Sequence, residues 1–304
     1  MSSTVVRPFA RGDRDQVTSL VNAHIAAVVP GMSVSVQALL SQLEREPGEF
    51  VDRWVSDRVT LVAEQRGRVV AAAHLLRYGD DPGTGQTYRD AGEIRWLVCW
   101  VDAPYWPDAS EAGDALAVAC HAQFRRWGVS RRLADGALPA PGVYGVPEQW
   151  PHIRAVYERI GFRQTGPTEI VLLARVEDMP RPAAPLDGLT TRRTVGINGT
   201  RITALLDGAE VGYIEVETNL DAGPRMSRAG AWADVGNRWV GPGMRRRRIG
   251  TWLAGQAAGW LELGGVTRLL DYADADEEPD YAAFLLATGF TELTRTARGL
   301  TADG

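Results

Sequence analysis

The sequence contains no lysine and has few cysteines and histidines, and these shortages exclude several kinds of site. All 33 basic residues are arginines, which we attribute to codon bias. Cys99 and Cys120 stand apart in apolar segments and fit neither a disulfide framework nor a zinc pattern. The four histidines are scattered and have no second ligand at a metal-binding spacing. We therefore expect free buried thiols and no metal site.

Long apolar runs and excess positive charge are also absent. No run is long enough to cross a membrane, and the first residues lack the apolar core of a secretion signal. The net charge of -5 gives no overall attraction to nucleic acid or to a membrane. We expect a cytoplasmic protein without nucleic-acid or membrane partners, either a monomer or a homodimer.

The chain divides into two halves of similar organisation. The proline-rich segment 177–188, EDMPRPAAPLDG, has no periodic hydrophobicity and marks a boundary between domains at 1–178 and 188–304. Each half contains antiparallel strands, a long strand, a helix, a strand, a helix ending in Gly-Phe, and a strand. We interpret this order as an internal duplication of one α+β unit, a mixed and mostly antiparallel sheet flanked by helices.

Local signals place several element ends. Asp13 and Ser35 are predicted to cap two amphipathic helices that occur only in the first half. Arg66-Gly67 predicts a hairpin turn there. In the second half, three strands form a predicted meander with turns at Asn198-Gly199 and Asp207-Gly208.

The stretch VGPGMRRRRIGTWL, residues 240–253, combines a strand end, a turn and a helix start. The first amides of a helix have no partner within the helix, and together with the helix dipole they attract phosphate oxygens. Gly250 lets backbone approach a ligand closely. Arginine adds charge-assisted, fork-shaped contacts to the same oxygens. The pattern favours a phosphate-binding loop over a nucleic-acid patch, which needs a wider basic face.

This loop resembles the strand-to-helix loop V-x-P-x-x-R/Q-x-x-G-x-G/A of the GNAT superfamily, the acyl-CoA-dependent N-acyltransferases. Val240, Pro242, Arg245 and Gly250 match, whereas Arg248 replaces the first expected glycine. The Gly-Phe endings of AVYERIGF and AAFLLATGF match a later family motif. The resemblance implies two tandem GNAT-like units, an arrangement similar to that of mycothiol synthase. It also implies that acetyl-CoA phosphates are bound by Val240, Arg245, Arg246, Arg247, Arg248, Ile249, Gly250 and Thr251.

The same resemblance suggests catalytic groups. A carboxylate on the strand before the loop often serves as base in this family, and Asp234 lies on that strand. A tyrosine four residues before the Gly-Phe glycine commonly protonates the leaving thiolate. In the second half that position is Leu285, so Tyr272 and Tyr281 are the candidate substitutes.

The first half has the opposite pattern. Tyr157 occupies the tyrosine position, but the segment 105–120 lacks the arginine and glycines of the loop. Its acidic residues Asp108, Glu111 and Asp114 repel phosphate. We expect this half to be a scaffold that lines the acceptor site, and the second half to bind acyl-CoA.

These features predict an N-acetyltransferase that transfers an acetyl group from acetyl-CoA to a small-molecule amine by direct attack. No activated serine or cysteine constellation suggests a covalent intermediate. Two alternatives stay open at this stage. One is a non-catalytic acyl-CoA sensor, suggested by Arg248 and Leu285, and the other is an arginine-rich interaction module.

Overall fold

The computed structural model describes residues 3–46, 53–134, 136, 138–217 and 231–302. In these residues the chain forms mixed sheets flanked by helices, which confirms the predicted α+β class. The helices are α1 (Arg14–Val28), α2 (Val36–Leu43), α3 (Ala109–Trp127), α4 (Pro151–Arg159), α5 (Ile249–Leu263) and α6 (Pro279–Ala287). The strands before the proline-rich segment are β1 (Val5–Pro8), β2 (Val55–Gln65), β3 (Arg68–Tyr78), β4 (Ala91–Cys99), β5 (Arg131–Ala134), β6 (Val146–Pro147), β7 (Arg163–Gln164) and β8 (Thr168–Arg175). The later strands are β9 (Leu189–Gly196), β10 (Gly199–Leu206), β11 (Ala209–Glu217), β12 (Ala231–Val240), β13 (Val266–Asp274), β14 (Thr291–Ala297) and β15 (Leu300–Ala302).

Two compact units make up the chain, and they do not follow sequence order strictly. Unit 1 comprises residues 1–168 and 295–304, and unit 2 comprises residues 169–294. Strand β8 therefore contributes mainly to unit 2, where it pairs with β13. Strand β15 contributes to unit 1, where it lies between β5 and β7.

Unit 1 is built on the strand order β1-β2-β3-β4-β5-β15-β7. Its pairs are antiparallel except for β4 with β5, which are parallel. Helix α3 buries the side chains of Leu116, Cys120 and Phe124 completely. A Cβ at Gly92 would lie 2.6 Å from the Phe124 ring, so glycine is required where this ring meets β4.

Unit 2 has the strand order β14-β8-β13-β12-β11-β10-β9. Strands β12 and β13 are parallel, and the meander β9-β10-β11 is antiparallel, as the sequence predicts. One face of α5 is buried through Trp252, Leu253 and Ala257, which form one core cluster with residues of the sheet such as Leu269. The larger of these side chains, such as Leu253 and Leu269, each contribute roughly 1.5–3 kcal/mol by burial.

The local predictions hold for most element ends but not for all. Ser35 caps α2 by accepting a hydrogen bond from the amide of Ala38 at 3.1 Å. Asp13 immediately precedes α1 but does not cap it, because its carboxylate binds the Arg7 guanidinium at 2.7 and 2.9 Å. The first meander turn is Ile197–Asn198, one residue earlier than predicted, since Gly196 pairs with Gly199.

The duplication extends to an irregularity in the sheets. In unit 1 the pairing of β3 with β4 leaves Arg95 as an extra residue, and in unit 2 the pairing of β11 with β12 leaves Gly236. Two residues before each bulge lies an acid, Glu93 or Asp234. Each acid belongs to the last parallel pair of its unit in the part of the chain that the structure describes. The same bend is therefore built twice, with a carboxylate at the point where the parallel strands separate.

Candidate active site

The loop between β12 and α5 folds into a compact turn. Residues Pro242–Met244 form a single 3₁₀ turn, and Arg245 is extended. Arg246 and Arg248 both have left-handed backbone conformations, with φ of 62° and 61°. Glycine adopts this conformation most readily, which gives a physical reason for the glycine that the family pattern has at the Arg248 position. Arg248 nevertheless takes up the same conformation.

The first turn of α5 is open to an anion. Arg248 is the N-cap residue, and no side chain caps the helix among the residues described. A left-handed residue followed by a helical one turns successive backbone N–H groups toward one point, a concavity that binds anions. The amides of Ile249, Gly250 and Thr251 extend it into the helix start, where the dipole adds to the attraction.

The four arginines around this turn are all exposed. Arg245 donates from Nε to the carbonyl of Val240 at 3.3 Å and closes the loop. Arg246 pairs with Asp280 at the start of α6, at 3.1 Å, which ties the loop to that helix. The side chain of Ile249 is buried in the core, so only its backbone faces the turn. Four positive charges thus surround the helix start, and one acid among the described residues forms an ion pair with them.

The equivalent helix start in unit 1 is already filled. Asp102 accepts from the amide of Ser110 at 2.7 Å and from its hydroxyl at 2.9 Å, and so caps α3. Asp108 precedes the helix and pairs with Arg66, and Glu111 lies in the first turn. A phosphate here would have to displace one carboxylate and would meet two others. The two units therefore differ at this helix start: carboxylates occupy it in unit 1, whereas in unit 2 it is open to a phosphate.

Asp234 lies where β12 and β13 begin to separate. It is buried, and its partner Leu270 forms the last pair between the two strands in the described residues. Beyond this pair β12 continues to Val240 and β13 to Asp274 without further pairing between them, from which we infer a cleft between the two strands. In unit 1 the equivalent Glu93 accepts a short hydrogen bond from the Tyr78 hydroxyl and pairs with Arg95.

A second buried acid, Asp271, was missed at the sequence level. It is 4% exposed and follows Leu270 on β13, at the mouth of the cleft. The Arg238 guanidinium approaches its Oδ2 at 3.3 Å, and the Tyr281 hydroxyl donates to the same oxygen at 2.5 Å. An aspartate within the apolar strand VTRLLDYA was the available signal, because an acid in a buried strand needs partners.

Burial shifts the pKa values of both Asp271 and Arg238. It raises the pKa of Asp271 to about 7, against the opposing effect of the nearby Arg238, and the charges of Asp234 and Glu278 raise this pKa further. Burial also lowers the pKa of Arg238, which still carries its charge at neutral pH. Asp271 therefore exchanges a proton in the pH range in which enzymes work.

The structure distinguishes the two candidate tyrosines. Tyr281, one helical turn before Leu285, bonds Asp271 and lies under the Arg238 guanidinium. Tyr272 follows Asp271 on β13, and its side chain points to the opposite face because strand residues alternate. Leu285 itself is buried in the core. In unit 1 burial raises the pKa of Tyr157 well above its usual value, and its ring packs against Phe162.

Two other findings concern the described residues as a whole. They contain no helix long and apolar enough to cross a membrane. They also contain no group of three or more histidine, cysteine, aspartate or glutamate side chains placed to hold a metal ion.

Comparison with known proteins defines the fold. No family model and no curated protein matches the sequence. A tandem GNAT protein from the clavulanic acid biosynthesis pathway is 16% identical, with a TM-score of 0.68 over 99% of this chain and 98% of that one. A GCN5-related N-acetyltransferase from Sphaerobacter thermophilus is 14% identical, with a TM-score of 0.62 over 98% and 94%.

A glucosamine N-acetyltransferase region of a fungal β-N-acetylglucosaminidase is also similar. It is 16% identical, with a TM-score of 0.65 over 99% of this chain and 38% of that one. The chain therefore has the GNAT fold. More specifically, it has the tandem arrangement in which two such units are joined in one chain.

Proposed function

We propose that this protein is an acyl-CoA-dependent N-acyltransferase that transfers an acetyl group from acetyl-CoA to a small-molecule amine. The observation that carries the proposal is the open, arginine-rich start of α5 in unit 2, set against the filled start of α3 in unit 1. The tandem GNAT fold agrees with it. One acyl-CoA would bind per chain, at unit 2.

Named groups of the loop fit the phosphates of coenzyme A. The amides of Ile249, Gly250 and Thr251 would donate to the pyrophosphate, and Arg245 and Arg248 would add charge-assisted contacts. Coenzyme A carries a further phosphate on its ribose, which the remaining exposed arginines can reach. A cluster of four arginines, of which Arg246 pairs with Asp280, suits a ligand with several negative charges.

The cleft between β12 and β13 supplies the groups for transfer. In this mechanism Asp234 accepts the proton that an ammonium must lose before its nitrogen can attack a thioester carbonyl. Strands that separate leave N–H and C=O groups without ladder partners, and these suit the amide-containing arm of coenzyme A. Direct attack needs no nucleophile from the protein.

The charge around the cleft supports an amine as the acceptor. The charges of Asp234 and Glu278 both act on Asp271, and Arg238 offsets those of Asp271 and Glu278. Fully ionised, this group carries a net negative charge and attracts a cationic substrate. We propose a primary ammonium compound rather than an anionic acceptor.

Turnover tests the proposal. The protein is incubated with acetyl-CoA and a panel of primary amines that includes spermidine and aminoglycosides, and free thiol and acetylated product are measured. We expect amine-dependent thiol release, and Asp234→Asn should lower kcat at least tenfold with little change in acetyl-CoA affinity.

Acetyl-CoA binding measured beside turnover distinguishes the proposed enzyme from a non-catalytic acyl-CoA sensor. A sensor would show a rise in melting temperature with acetyl-CoA but no product with any amine. Absence of both the thermal shift and the product would contradict the proposed function and the sensor together.

A further inference from the structure

We infer that His24 and His152 form a binding site for a divalent transition-metal ion such as Zn²⁺ in unit 1, with the backbone carbonyl of Cys99 as a third donor. The three groups come from α1, the end of β4 and the first turn of α4. The inference does not rest on the function proposed for unit 2. It follows from the distance between the two rings, the hydrogen bonds that orient them, and their surroundings.

The two rings face each other through the nitrogens that would bind the ion. Nε2 of His24 lies 3.3 Å from Nε2 of His152, and the two residues are 128 positions apart, so sequence spacing gave no sign of a site. Zinc–nitrogen bonds of about 2.0–2.1 Å at a tetrahedral angle place two ligand nitrogens roughly 3.3 Å apart. The Cys99 carbonyl oxygen lies 3.1 Å from the same His24 nitrogen and also accepts a hydrogen bond from His152. Both distances are therefore close to those between ligands of a single ion.

Hydrogen bonding favours the form of His24 that a metal requires. Nδ1 of His24 lies 2.8 Å from the carbonyl oxygen of Leu20, to which it can only donate. A neutral imidazole has one N–H, so Nε2 then carries a lone pair that meets a second acceptor, the Cys99 carbonyl. The other neutral tautomer would place two acceptors at the shorter distance to Leu20. Metal-bound histidines commonly donate their other N–H to a backbone carbonyl, and an ion at Nε2 would bind both acceptors.

Both imidazoles are available as ligands at neutral pH. Burial, together with the charge of His152, lowers the pKa of His24 to about 4. Burial lowers the pKa of His152 as well. Because a metal binds only unprotonated imidazole, an ion at this site does not compete with protons near pH 7.

Neighbouring tryptophans hold the His24 ring and leave an entry for an ion. The Trp150 ring packs edge-on against His24, with ring centres 5.4 Å apart, and its Nε1 donates to the His24 carbonyl at 3.2 Å. His152 is only half-buried, and Trp100, whose ring centre lies 6.3 Å from that of His24, is 41% exposed. An ion can therefore reach the site from solvent beside these two residues.

The charge near the end of β4 also suits a cation. The charges that act on Cys99 are those of two acids, Asp102 and Asp114, against one arginine, Arg159. Burial raises the pKa of the Cys99 thiol to about 12, so the thiol stays protonated and only the carbonyl of this residue serves as a donor. The resulting set of two imidazoles and one carbonyl oxygen leaves a fourth position for water. Such a set suits Zn²⁺ or Cu²⁺ better than Mg²⁺ or Ca²⁺.

Zinc titration of the full-length protein without a histidine tag tests the site. After treatment with EDTA, calorimetry should show a Zn²⁺ site, and added ZnCl₂ should raise the melting temperature. His152→Gln removes one ligand and should weaken binding at this site more than about tenfold. His121→Gln is the matched control, because His121 is also a half-buried histidine of a unit 1 helix, and it should bind Zn²⁺ as wild type does.

NMR of the ¹⁵N-labelled histidine rings identifies the ligands without any variant, so it stays decisive if His152→Gln folds poorly. Without metal, His24 should be protonated at Nδ1. Zn²⁺ should shift the Nε2 resonances of His24 and His152 and leave those of His74 and His121 unchanged. Metal-free His24 protonated at Nε2, equal zinc affinity in wild type and His152→Gln, or no zinc binding would overturn the inference. Acyl-CoA binding at unit 2 is measured separately and is unaffected by any of these results.

Discussion

Arg248 shows how a single residue can depart from a pattern and preserve its geometry. Left-handed backbone costs a non-glycine residue about 1–3 kcal/mol, and the surrounding loop must supply that energy. Arg248 has φ of 61° and starts α5 as a glycine would. From the sequence alone the substitution left a non-catalytic acyl-CoA sensor open as an alternative, because a pattern identifies the residue and not the backbone conformation it adopts.

Substitutions at Arg248 test this geometry. Arg248→Val should lower the free energy of unfolding by about 1–3 kcal/mol, since a β-branched residue tolerates positive φ least. Arg248→Gly should change it by less than about 1 kcal/mol, because relief of strain offsets the entropy of glycine. Chemical denaturation measures both. Arg247 does not have positive φ, so Arg247→Val is the control, and an equal loss there would contradict the account.

Two buried histidines make the stability of unit 1 depend on pH. Burial lowers the pKa of His24 to about 4 and that of His74 to about 3. Both values lie below the unfolded value near 6.5, so the unfolded chain binds more protons as the pH falls. This stability is therefore full above pH 6.5 and is lost as the pH falls toward 4 for His24 and toward 3 for His74, by roughly 2 kcal/mol per histidine at pH 5.

The variants His24→Gln and His74→Gln test this dependence. Each should reduce the loss of unfolding free energy between pH 7 and pH 5, as measured by denaturant titration. Asp271, with its raised pKa, acts in the opposite direction in the same window, but it is present in all the proteins compared. An unchanged difference between the two pH values would show that these histidines do not govern it.

At the scale of elements, two helix starts with the same place in the duplicated order have different chemistry. Helix α3 has its cap within the chain, in Asp102, whereas α5 is left uncapped among the described residues. The sequence correctly indicated that acidic residues surround the start of α3 and arginines the start of α5. It did not indicate that Asp102 itself caps the helix, since a side chain eight residues before its partner is placed by the loop fold and not by local spacing.

Thr251 offers a test of the α5 start. An acid at the third helical position interacts favourably with the helix dipole, which stabilises the helix by about 0.3–1 kcal/mol, and its side chain can cap the turn. Thr251→Glu should therefore keep or slightly raise the melting temperature while weakening CoA binding more than tenfold. Thr251→Gln has a similar shape without the charge and should bind CoA much as wild type does. Equal affinities for the Glu and Gln variants would place the phosphates elsewhere.

Asp102→Ala is the complementary change in unit 1. Loss of a helix cap costs about 0.5–2 kcal/mol, so the melting temperature should fall by a few degrees. CoA affinity measured by calorimetry should not change, because the proposed site lies in unit 2. A change in CoA affinity without a change in stability would contradict the assignment of Asp102 as a structural cap.

At the scale of the whole molecule, the sequence predicted the duplication and the structure adds the placement of its strands. The order of elements, the two Gly-Phe endings and the meander could be predicted because hydrophobic periodicity and turn residues are local signals. Which sheet receives β8 and β15 could not be predicted, because the sequence of a strand carries no local mark of its partner. Asp271 could not be identified for a related reason. What marks it as a site residue is its contact with Arg238 and Tyr281, and these two residues lie far apart in sequence.

The position of β15 leads to a prediction about the C-terminus. Its residues Leu300–Ala302 pair with β5 and with β7, so their removal would break the two ladders that β15 forms in unit 1. A chain ending at residue 299 should unfold at a clearly lower temperature, by 5 °C or more, than one ending at residue 302. Circular dichroism of the two chains measures the difference. Equal melting temperatures would show that β15 contributes little to unit 1.

The account as a whole depends on one binding site, at the start of α5. Calorimetric titration with CoA tests it most directly, with wild type compared against Arg245→Ala and against Arg192→Ala, an exposed arginine of β9. One charge-assisted contact is worth about 1.5–3 kcal/mol, so Arg245→Ala should weaken binding roughly ten- to hundredfold. The account predicts one CoA per chain, with this loss in Arg245→Ala and unchanged binding in Arg192→Ala. Two sites per chain, or equal affinities in all three proteins, would contradict it.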